Sequence, residues 1–275
     1  MPIVVWQALF FVSALLFVVV MTFWSVRNFR LTPGFEAANW VKTFGAGYFR
    51  DTYFRTFLYA ALAAVAASLA AFPCAYALAF HVPRALRRAT VFLLVIPYFT
   101  SYLVRIYSWK ILLTDEGVIN LALGALGLGP FRMYNNLFGT TVGYLTLVFP
   151  LVVLLQLLSL ANADRSLIEA AHNLRCGRLR TVFLVIVPLA RAGLVLAFTF
   201  AFILAFGDFV SPTFLGGSKP PTLSILMVDT VRSGSDWPRA SVIAVTMVAT
   251  LLAVAFLAMG LAYRGRARPL RDGGR

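Results

Sequence analysis

The chain has 275 residues, of which 61% are apolar and only 12% are charged. Soluble globular chains average roughly 45–50% apolar and about 25% charged residues, so this chain lacks the polar surface of a water-soluble fold. The composition also excludes intrinsic disorder, collagen and a disulfide-stapled secreted domain. It predicts an all-α integral membrane protein. The net charge of +14 is typical of basic loops that face the cytoplasm, and it does not require nucleic-acid binding.

Six stretches are apolar enough to cross a bilayer, because about 20 helical residues span ~30 Å of hydrocarbon. The third of them ends near two basic residues, Arg105 and Lys110, whose long side chains can snorkel to the membrane surface. The uncharged residues 117–131 are too short and too rich in glycine to span, so they predict a short interfacial helix and a loop. The six predicted spans lie near residues 6–26, 57–80, 89–110, 138–160, 192–212 and 240–263.

Basic residues indicate the orientation. They are concentrated between spans two and three, between spans four and five, and after span six. The positive-inside rule places these three segments in the cytoplasm, so six spans put both termini there as well. Span one conflicts with this orientation, because Arg27 and Arg30 follow it and no basic residue precedes it. The first 26 residues lack a basic start and an Ala-x-Ala cleavage site, so we expect a permanent anchor rather than a signal peptide.

The segment between spans four and five carries the most informative motif. Asp164 or Ser166 can cap the start of a short helix, and Glu169-Ala170-Ala171 follows. The two alanines leave a helix face that a partner can approach closely. Gly177 is expected to let the chain turn, and an apolar run ending at Pro188 then leads back to the membrane. From the pattern alone, an ordinary amphipathic loop helix explains the segment equally well.

Glu169-Ala170-Ala171, with Pro188 nineteen residues after Glu169, resembles the EAA motif of permease subunits of ABC-type importers. The resemblance implies a type I importer bundle with a cytoplasmic coupling helix that docks into an ATP-binding subunit. Glu169, Ala170, Ala171 and Gly177 are the expected coupling residues. The family usually has glycine six residues after the Glu, whereas this chain has Arg175 there.

Other stretches resemble spermidine/putrescine-type permeases within that family. They include Ile-Pro-Tyr-Phe-Thr-Ser-Tyr-Leu-Val-Arg-Ile-Tyr-Ser-Trp at 96–109 and Gly-Asp-Phe-Val-Ser-Pro at 207–212. Permeases for opines, ferric iron and other small solutes share parts of these patterns. The resemblance therefore implies an inner-membrane permease subunit, without a cofactor of its own, for a small solute, with a polyamine as the first candidate. Its implied partners are cytoplasmic ATP-binding subunits, a second related permease and an extracytoplasmic solute-binding protein.

The resemblance also divides the chain into three parts. Residues 1–55 are the first anchor and an extracytoplasmic loop, and residues 56–263 are the transmembrane domain of the importer. Residues 264–275 are a basic cytoplasmic tail.

Asp208 is the one acidic residue well inside an apolar run, where a carboxylate must face protein or a water-filled cavity. A carboxylate together with aromatic faces suits the ammonium groups of a polyamine. The candidate aromatic residues are Tyr98, Tyr102, Tyr107 and Trp109. Two alternatives stay open: Asp208 can pair with Arg105 at a helix end, and the aromatic residues can serve packing. Arg105 and Lys110 would repel a cation if they lined its route.

No pattern in the sequence supports catalysis or a metal site on this chain. His81 and His172 are its two histidines, and neither a His-Glu-x-x-His motif nor a phosphate-binding loop occurs. ATP hydrolysis must therefore come from a partner. Two other hypotheses compete with the importer subunit: a secondary transporter or channel that works alone, and a membrane-embedded enzyme. An inverted repeat would favour the first, and none is evident between the two halves of the sequence.

Overall fold

The computed structural model describes residues 2–27 and 30–263, and most of them lie in α-helices. The predicted basic tail, residues 264–275, lies outside the described residues. A short antiparallel hairpin, β1 (Ser25–Arg27) and β2 (Arg30–Thr32), follows the first helix and pairs Ser25 with Thr32. The helices are α1 (Pro2–Met21), α2 (Ala38–Gly45), α3 (Gly47–Phe80), α4 (Arg84–Phe99), α5 (Tyr102–Leu113), α6 (Val118–Ala125), α7 (Leu137–Ala161), α8 (Arg165–Asn173), α9 (Arg178–Thr181), α10 (Val187–Gly207), α11 (Val210–Phe214), α12 (Leu223–Gly234) and α13 (Trp237–Tyr263).

The helices confirm an all-α membrane fold, although they do not form six continuous spans. Within the described residues, four helices are long and apolar enough to cross a bilayer: α3, α7, the continuous helix Arg178–Gly207 and α13. Helix α4 and the segment Tyr102–Ala125, which contains α5 and α6, make a fifth if they are counted as one broken span. The remaining candidate is α1, whose apolar part Val5–Met21 is shorter than the other four.

The third predicted span differs most from the prediction, because the structure breaks it into separate helices. The chain bends by 95° between Arg84–Phe99 and Tyr102–Ala125. Thr100 and Ser101 adopt extended backbone at the bend, with ψ of 147° and 129°. The Thr100 hydroxyl donates to the Pro97 carbonyl at 2.8 Å, and the Thr100 N–H donates to the same oxygen at 3.3 Å, which closes the last turn of α4. Hydropathy did not indicate this break, because it reports burial in lipid and not backbone continuity.

Span one lies nearer the N-terminus than predicted, since α1 occupies Pro2–Met21 and does not extend to residue 26. The Asn39 side chain explains the early end: its Nδ2 donates to the Thr22 carbonyl at 2.8 Å and to the Trp24 carbonyl at 2.7 Å. Carbonyls at the end of a helix need such partners. Span four is confirmed almost residue for residue by α7, where the Asn136 side chain accepts from the Gly139 N–H at 3.0 Å and caps the helix start.

The chain consists of two compact units, Met1–Leu58 with Ser218–Leu252 and Tyr59–Gly217 with the segment from Ala253 onward. The predicted boundaries at residues 55 and 263 stay predictions.

In the second unit, α7 packs against α10 through small residues. A Cβ on Gly193 would lie 2.3 Å from the Ser159 side chain, and the Ser159 hydroxyl donates to the Ala190 carbonyl at 2.9 Å. Close packing of this kind is typical of membrane helices.

Candidate functional site

Residues 164–177, which the sequence predicts to contact an ATP-binding subunit and which we call the coupling segment, contain the predicted short helix as α8. Asp164 precedes it, and one carboxylate oxygen accepts from the Ser166 backbone N–H at 2.9 Å. Hydrogen bonds from the backbone N–H and the side chain of Ser166 hold the pKa of Asp164 below its usual range. The carboxylate therefore stays ionised at neutral pH at the positive end of the helix. The sequence predicted this cap correctly.

The predicted coupling residues fall on two sides of α8. Glu169 and Ala170 are exposed, whereas Ala171 retains only 9% of its accessible surface. Two apolar side chains that the sequence reading missed are exposed beside them: Leu167 is 47% exposed and Leu174 is 84% exposed. The segment thus presents a carboxylate, a small residue and two leucines outward. An arrangement of this kind is suited to contact with another protein.

The turn after α8 is made by Arg175 and not by Gly177, which corrects our expectation. Arg175 has a φ of +56°, in the left-handed region that favours glycine. The Leu174 N–H donates to the Ala170 carbonyl at 3.1 Å, and the Cys176 N–H donates to the Ala171 carbonyl at 3.0 Å. The second bond and the left-handed residue form a Schellman-type helix end. Gly177 has an ordinary φ of −65°.

We predict that Arg175→Gly stabilises this turn by about 1 kcal/mol, because glycine adopts positive φ without the Cβ penalty. Hydrogen exchange at the Leu174 and Cys176 amides should then slow about fivefold. Gly177→Ala is the matched control and should leave both rates unchanged, since φ there suits any residue and open space surrounds the position. Unchanged or faster exchange in Arg175→Gly would show that the left-handed backbone does not limit the turn.

A π-helical turn, Val182–Ile186, joins the coupling segment to α10. The Val187 N–H donates to the Val182 carbonyl, five residues earlier. Pro188 follows directly; it has no N–H, and its ring would collide with the carbonyl four residues before it in a regular helix. The wider turn relieves that conflict and keeps Arg178–Gly207 continuous. A continuous helix therefore runs from Arg178, directly after the coupling segment, into the fifth predicted span.

Asp208 lies where this long helix breaks, between α10 and α11, and it is buried with 7% exposure. One carboxylate oxygen accepts from the Tyr102 hydroxyl at 2.7 Å, and the other accepts from the Val210 N–H at 2.8 Å. The Ser211 N–H lies 3.3 Å from the first of these oxygens, and the Ser211 hydroxyl lies 2.6 Å from that of Tyr102. The carboxylate thus caps α11 and ties it to α5.

The predicted aromatic residues do not converge on Asp208. Tyr102 reaches it, but Trp109 packs against the buried cluster of Ile106, Leu113 and Leu215. Tyr107 and Tyr98 are 46% and 42% exposed, and Tyr98 lies on α4, before the bend. Tyr102 and Trp109 therefore have a packing role against that cluster. The pathway role of all four stays a prediction.

Arg105 was the alternative partner for Asp208, but the structure gives its guanidinium a different contact. The guanidinium carbon lies 5.6 Å from the centre of the Tyr102 ring, a cation–π distance. The Lys110 ammonium lies 5.9 Å from the centre of the Tyr107 ring and 5.6 Å from that of Tyr134. The basic residues of α5 are therefore held by the aromatic rings.

Glycines and asparagines that the sequence reading missed hold this region in place. Gly143 of α7 allows close approach, because a Cβ there would lie 2.5 Å from the Ser211 side chain. The buried Asn120 side chain bonds both to the N–H and to the carbonyl of Phe131, at 3.0 and 2.9 Å. This clamp closes the loop after α6, which confirms the predicted short helix and loop.

Within residues 2–27 and 30–263, no cluster of three His, Cys, Asp or Glu side chains could hold a metal ion.

Similar proteins support the importer interpretation. The chain is 28% identical over 200 residues to the spermidine/putrescine transport system permease protein PotB of Escherichia coli (strain K12), covering 71% of this chain and 73% of that one. It is 26% identical over 268 residues to the inner membrane ABC transporter permease protein YdcU of the same organism, covering 92% and 84%. The putrescine transport system permease protein PotI, also from that organism, is 29% identical over 113 residues, covering 41% and 40%.

Solved structures show the same fold. A bacterial ABC transporter involved in the import of the acidic polysaccharide alginate matches with a TM-score of 0.77 at 14% identity, over 96% of this chain and 93% of that one. A model of the family described as binding-protein-dependent transport system inner membrane component matches residues 65–268, which include α8 and the Asp208 break. The chain therefore belongs to this family of binding-protein-dependent transport system inner membrane components, the permease subunits of ABC importers.

Proposed function

We propose that the chain forms half of the translocation pathway for a polyamine such as spermidine or putrescine. The similarity to PotB and PotI, whose names specify these solutes, is the observation that carries the proposal. Identity of 28% leaves room for an opine, ferric iron or another small solute in the same role.

The chemistry around Asp208 is compatible with a cation. Asp208 is the one acidic residue well inside the apolar spans, and its negative charge is shared by hydrogen bonding with Tyr102. Arg105 and Lys110 oppose a cation, but both are attracted to aromatic rings and held there. The carboxylate is buried, so it would act on a passing polyamine through its charge, and the exposed ring of Tyr107 on the same helix as Tyr102 could contact an ammonium group. The roles of Tyr98, Tyr102 and Trp109 in the pathway are part of the same proposal.

The coupling segment is the proposed contact with a cytoplasmic ATP-binding subunit that hydrolyses ATP. Leu167 and Leu174 are exposed on a segment that lies between two spans and outside both of them. A partner that covers these leucines would bury apolar surface and gain about 25 cal/mol for each Å². Glu169 and Ala170 lie on the same segment, so the partner would also meet the EAA motif.

Two further partners complete the proposed importer: a second, related permease subunit and an extracytoplasmic solute-binding protein. With the coupling segment in the cytoplasm, both termini are also cytoplasmic if α1 crosses the membrane and if α4 and the segment Tyr102–Ala125 count as one span. The binding protein would then meet the outer segments, residues 27–55, 114–137 and 215–239. This orientation agrees with the basic residues Arg84, Arg87 and Arg88 at the start of α4.

The ligand of the cognate binding protein tests the substrate directly. We expect the purified binding protein to hold spermidine or putrescine in equilibrium binding with unlabelled competitors. An opine, ferric iron and an alginate oligosaccharide should fail to displace the bound polyamine. A binding protein that ignores both polyamines and holds another solute would reject the polyamine proposal while leaving the permease role intact.

A further inference from the structure

The Lys110 ammonium occupies a site of the kind that recognises ammonium ligands. It lies 5.9 Å from the ring centre of Tyr107 and 5.6 Å from that of Tyr134. A cation within about 6 Å of an aromatic ring centre is attracted to the ring face, and two rings around one cation form a partial aromatic cage. We call Tyr107 and Tyr134 with Lys110 between them the tyrosine site.

The two rings are held in place by separate elements. Tyr107 lies on α5, one turn before Lys110, and contacts Phe214 of α11 with ring centres 5.2 Å apart. Tyr134 precedes α7 and packs against the buried cluster of Ile106, Leu113 and Leu215. The Asn135 N–H, next in the chain, donates to the Leu215 carbonyl at 2.9 Å. The tyrosine site is therefore built by the fold and does not depend on Lys110 to form it.

The site is also partly open at the surface of the chain. Tyr107 is 46% exposed and Lys110 is only partly buried. Lys110 lies in the last turn of α5, and its long, flexible side chain can leave the rings without moving the helix. Two ammonium groups cannot share the site, because like charges a few ångströms apart repel strongly.

We propose that Lys110 is a tethered occupant of the tyrosine site, which a substrate ammonium takes only when Lys110 swings out. The inference rests on the proposed function, since it requires a substrate that carries ammonium groups. Lys110 then lowers the rate at which every cationic solute passes.

The test compares import by the complete transporter in proteoliposomes, with ATP inside and labelled spermidine on the binding protein outside. Lys110→Met removes the competing charge and keeps the length of the side chain. We expect its maximal import rate to rise about three- to tenfold, the range expected from one cation–π contact. The concentration of loaded binding protein that gives half the maximal rate should stay the same, because docking is not altered.

Two companion variants separate the proposal from a structural role of Lys110. Lys110→Arg retains a cation on the same helix and should keep the import rate low. Adding Tyr134→Leu to Lys110→Met should abolish the gain, because the vacated site then lacks its second ring. Purified complexes of each variant should elute at the same size, which separates lost import from lost assembly.

Each outcome decides between the alternatives. A maximal rate for Lys110→Met that is equal to or lower than wild type overturns the tethered-occupant proposal, as does a change confined to the half-saturating concentration. A gain that survives Tyr134→Leu overturns it as well, since the ring would then not be the site. A wild-type complex that imports no polyamine overturns the proposed function itself, and this is measured before any variant.

Discussion

Ala170→Asp is expected to abolish ATP-driven import while the chain still inserts into the membrane. Ala170 is exposed on α8, between the turn and the exposed Leu167. If the ATP-binding subunit covers this surface, the new carboxylate is buried without a partner, at a cost of about 3–5 kcal/mol. That corresponds to a loss of at least about 100-fold in the affinity of the two subunits. Co-purification of the ATP-binding subunit with the chain measures the loss directly.

Ala85→Asp provides the matched control for this variant. Ala85 is also an exposed alanine near a predicted cytoplasmic end, but it lies in the first turn of α4, where negative charge is favourable. We expect Ala85→Asp to retain the ATP-binding subunit, and Glu169→Lys to lose it as Ala170→Asp does. Normal import by Ala170→Asp and Glu169→Lys would show that α8 is not the coupling surface.

Substitutions at Asp208 are expected to separate its capping role from its charge. Asp208→Leu removes the acceptors for the Tyr102 hydroxyl and for the Val210 and Ser211 N–H groups. Each donor left unsatisfied in the buried region costs about 1–3 kcal/mol, so we expect lower thermal stability and no import. Thermal unfolding of the purified chain, followed by circular dichroism, measures the first effect.

Asp208→Asn removes the charge and keeps an oxygen that can accept from the Val210 N–H. The new amide nitrogen faces the Tyr102 hydroxyl, which can accept from it and donate to the Ser211 hydroxyl instead. We expect the variant to fold with a thermal stability close to that of wild type. The local charge made by Asp208, Arg105 and Lys110 then rises from +1 to +2. Polyamine import should fall about tenfold, the effect of roughly 1.4 kcal/mol of added repulsion. Import at the wild-type rate would show that the carboxylate acts only as a cap.

Features that depend on the local sequence were predictable. The uncharged run that begins at Met133 predicted a span near 138–160, and α7 occupies Leu137–Ala161, so its bounds followed from composition. The helix of the coupling segment followed from Asp164 and the alanines. The position of Asp208 at a helix break was foreseen only as a helix-end alternative, because one carboxylate in an apolar run has to find buried hydrogen-bond donors.

Features that depend on distant contacts were not predictable. Tyr102 and Asp208 are 106 residues apart, and neither stretch of sequence indicates that their side chains form a hydrogen bond. The break at Thr100 and Ser101 lies in a run that hydropathy treats as one span. Arg175 carries a backbone angle that its side chain gives no reason to expect, so the turn was assigned to the nearby Gly177 instead. These features follow from packing between elements and not from residue type.

Solute uptake by purified components in liposomes tests the permease role most directly. Liposomes that contain only this chain and its second permease should accumulate no labelled polyamine under a proton or sodium gradient. Adding the ATP-binding subunit with ATP inside, and loaded binding protein outside, should start accumulation. Accumulation driven by an ion gradient alone, without ATP or the binding protein, would identify a secondary transporter and contradict the importer role.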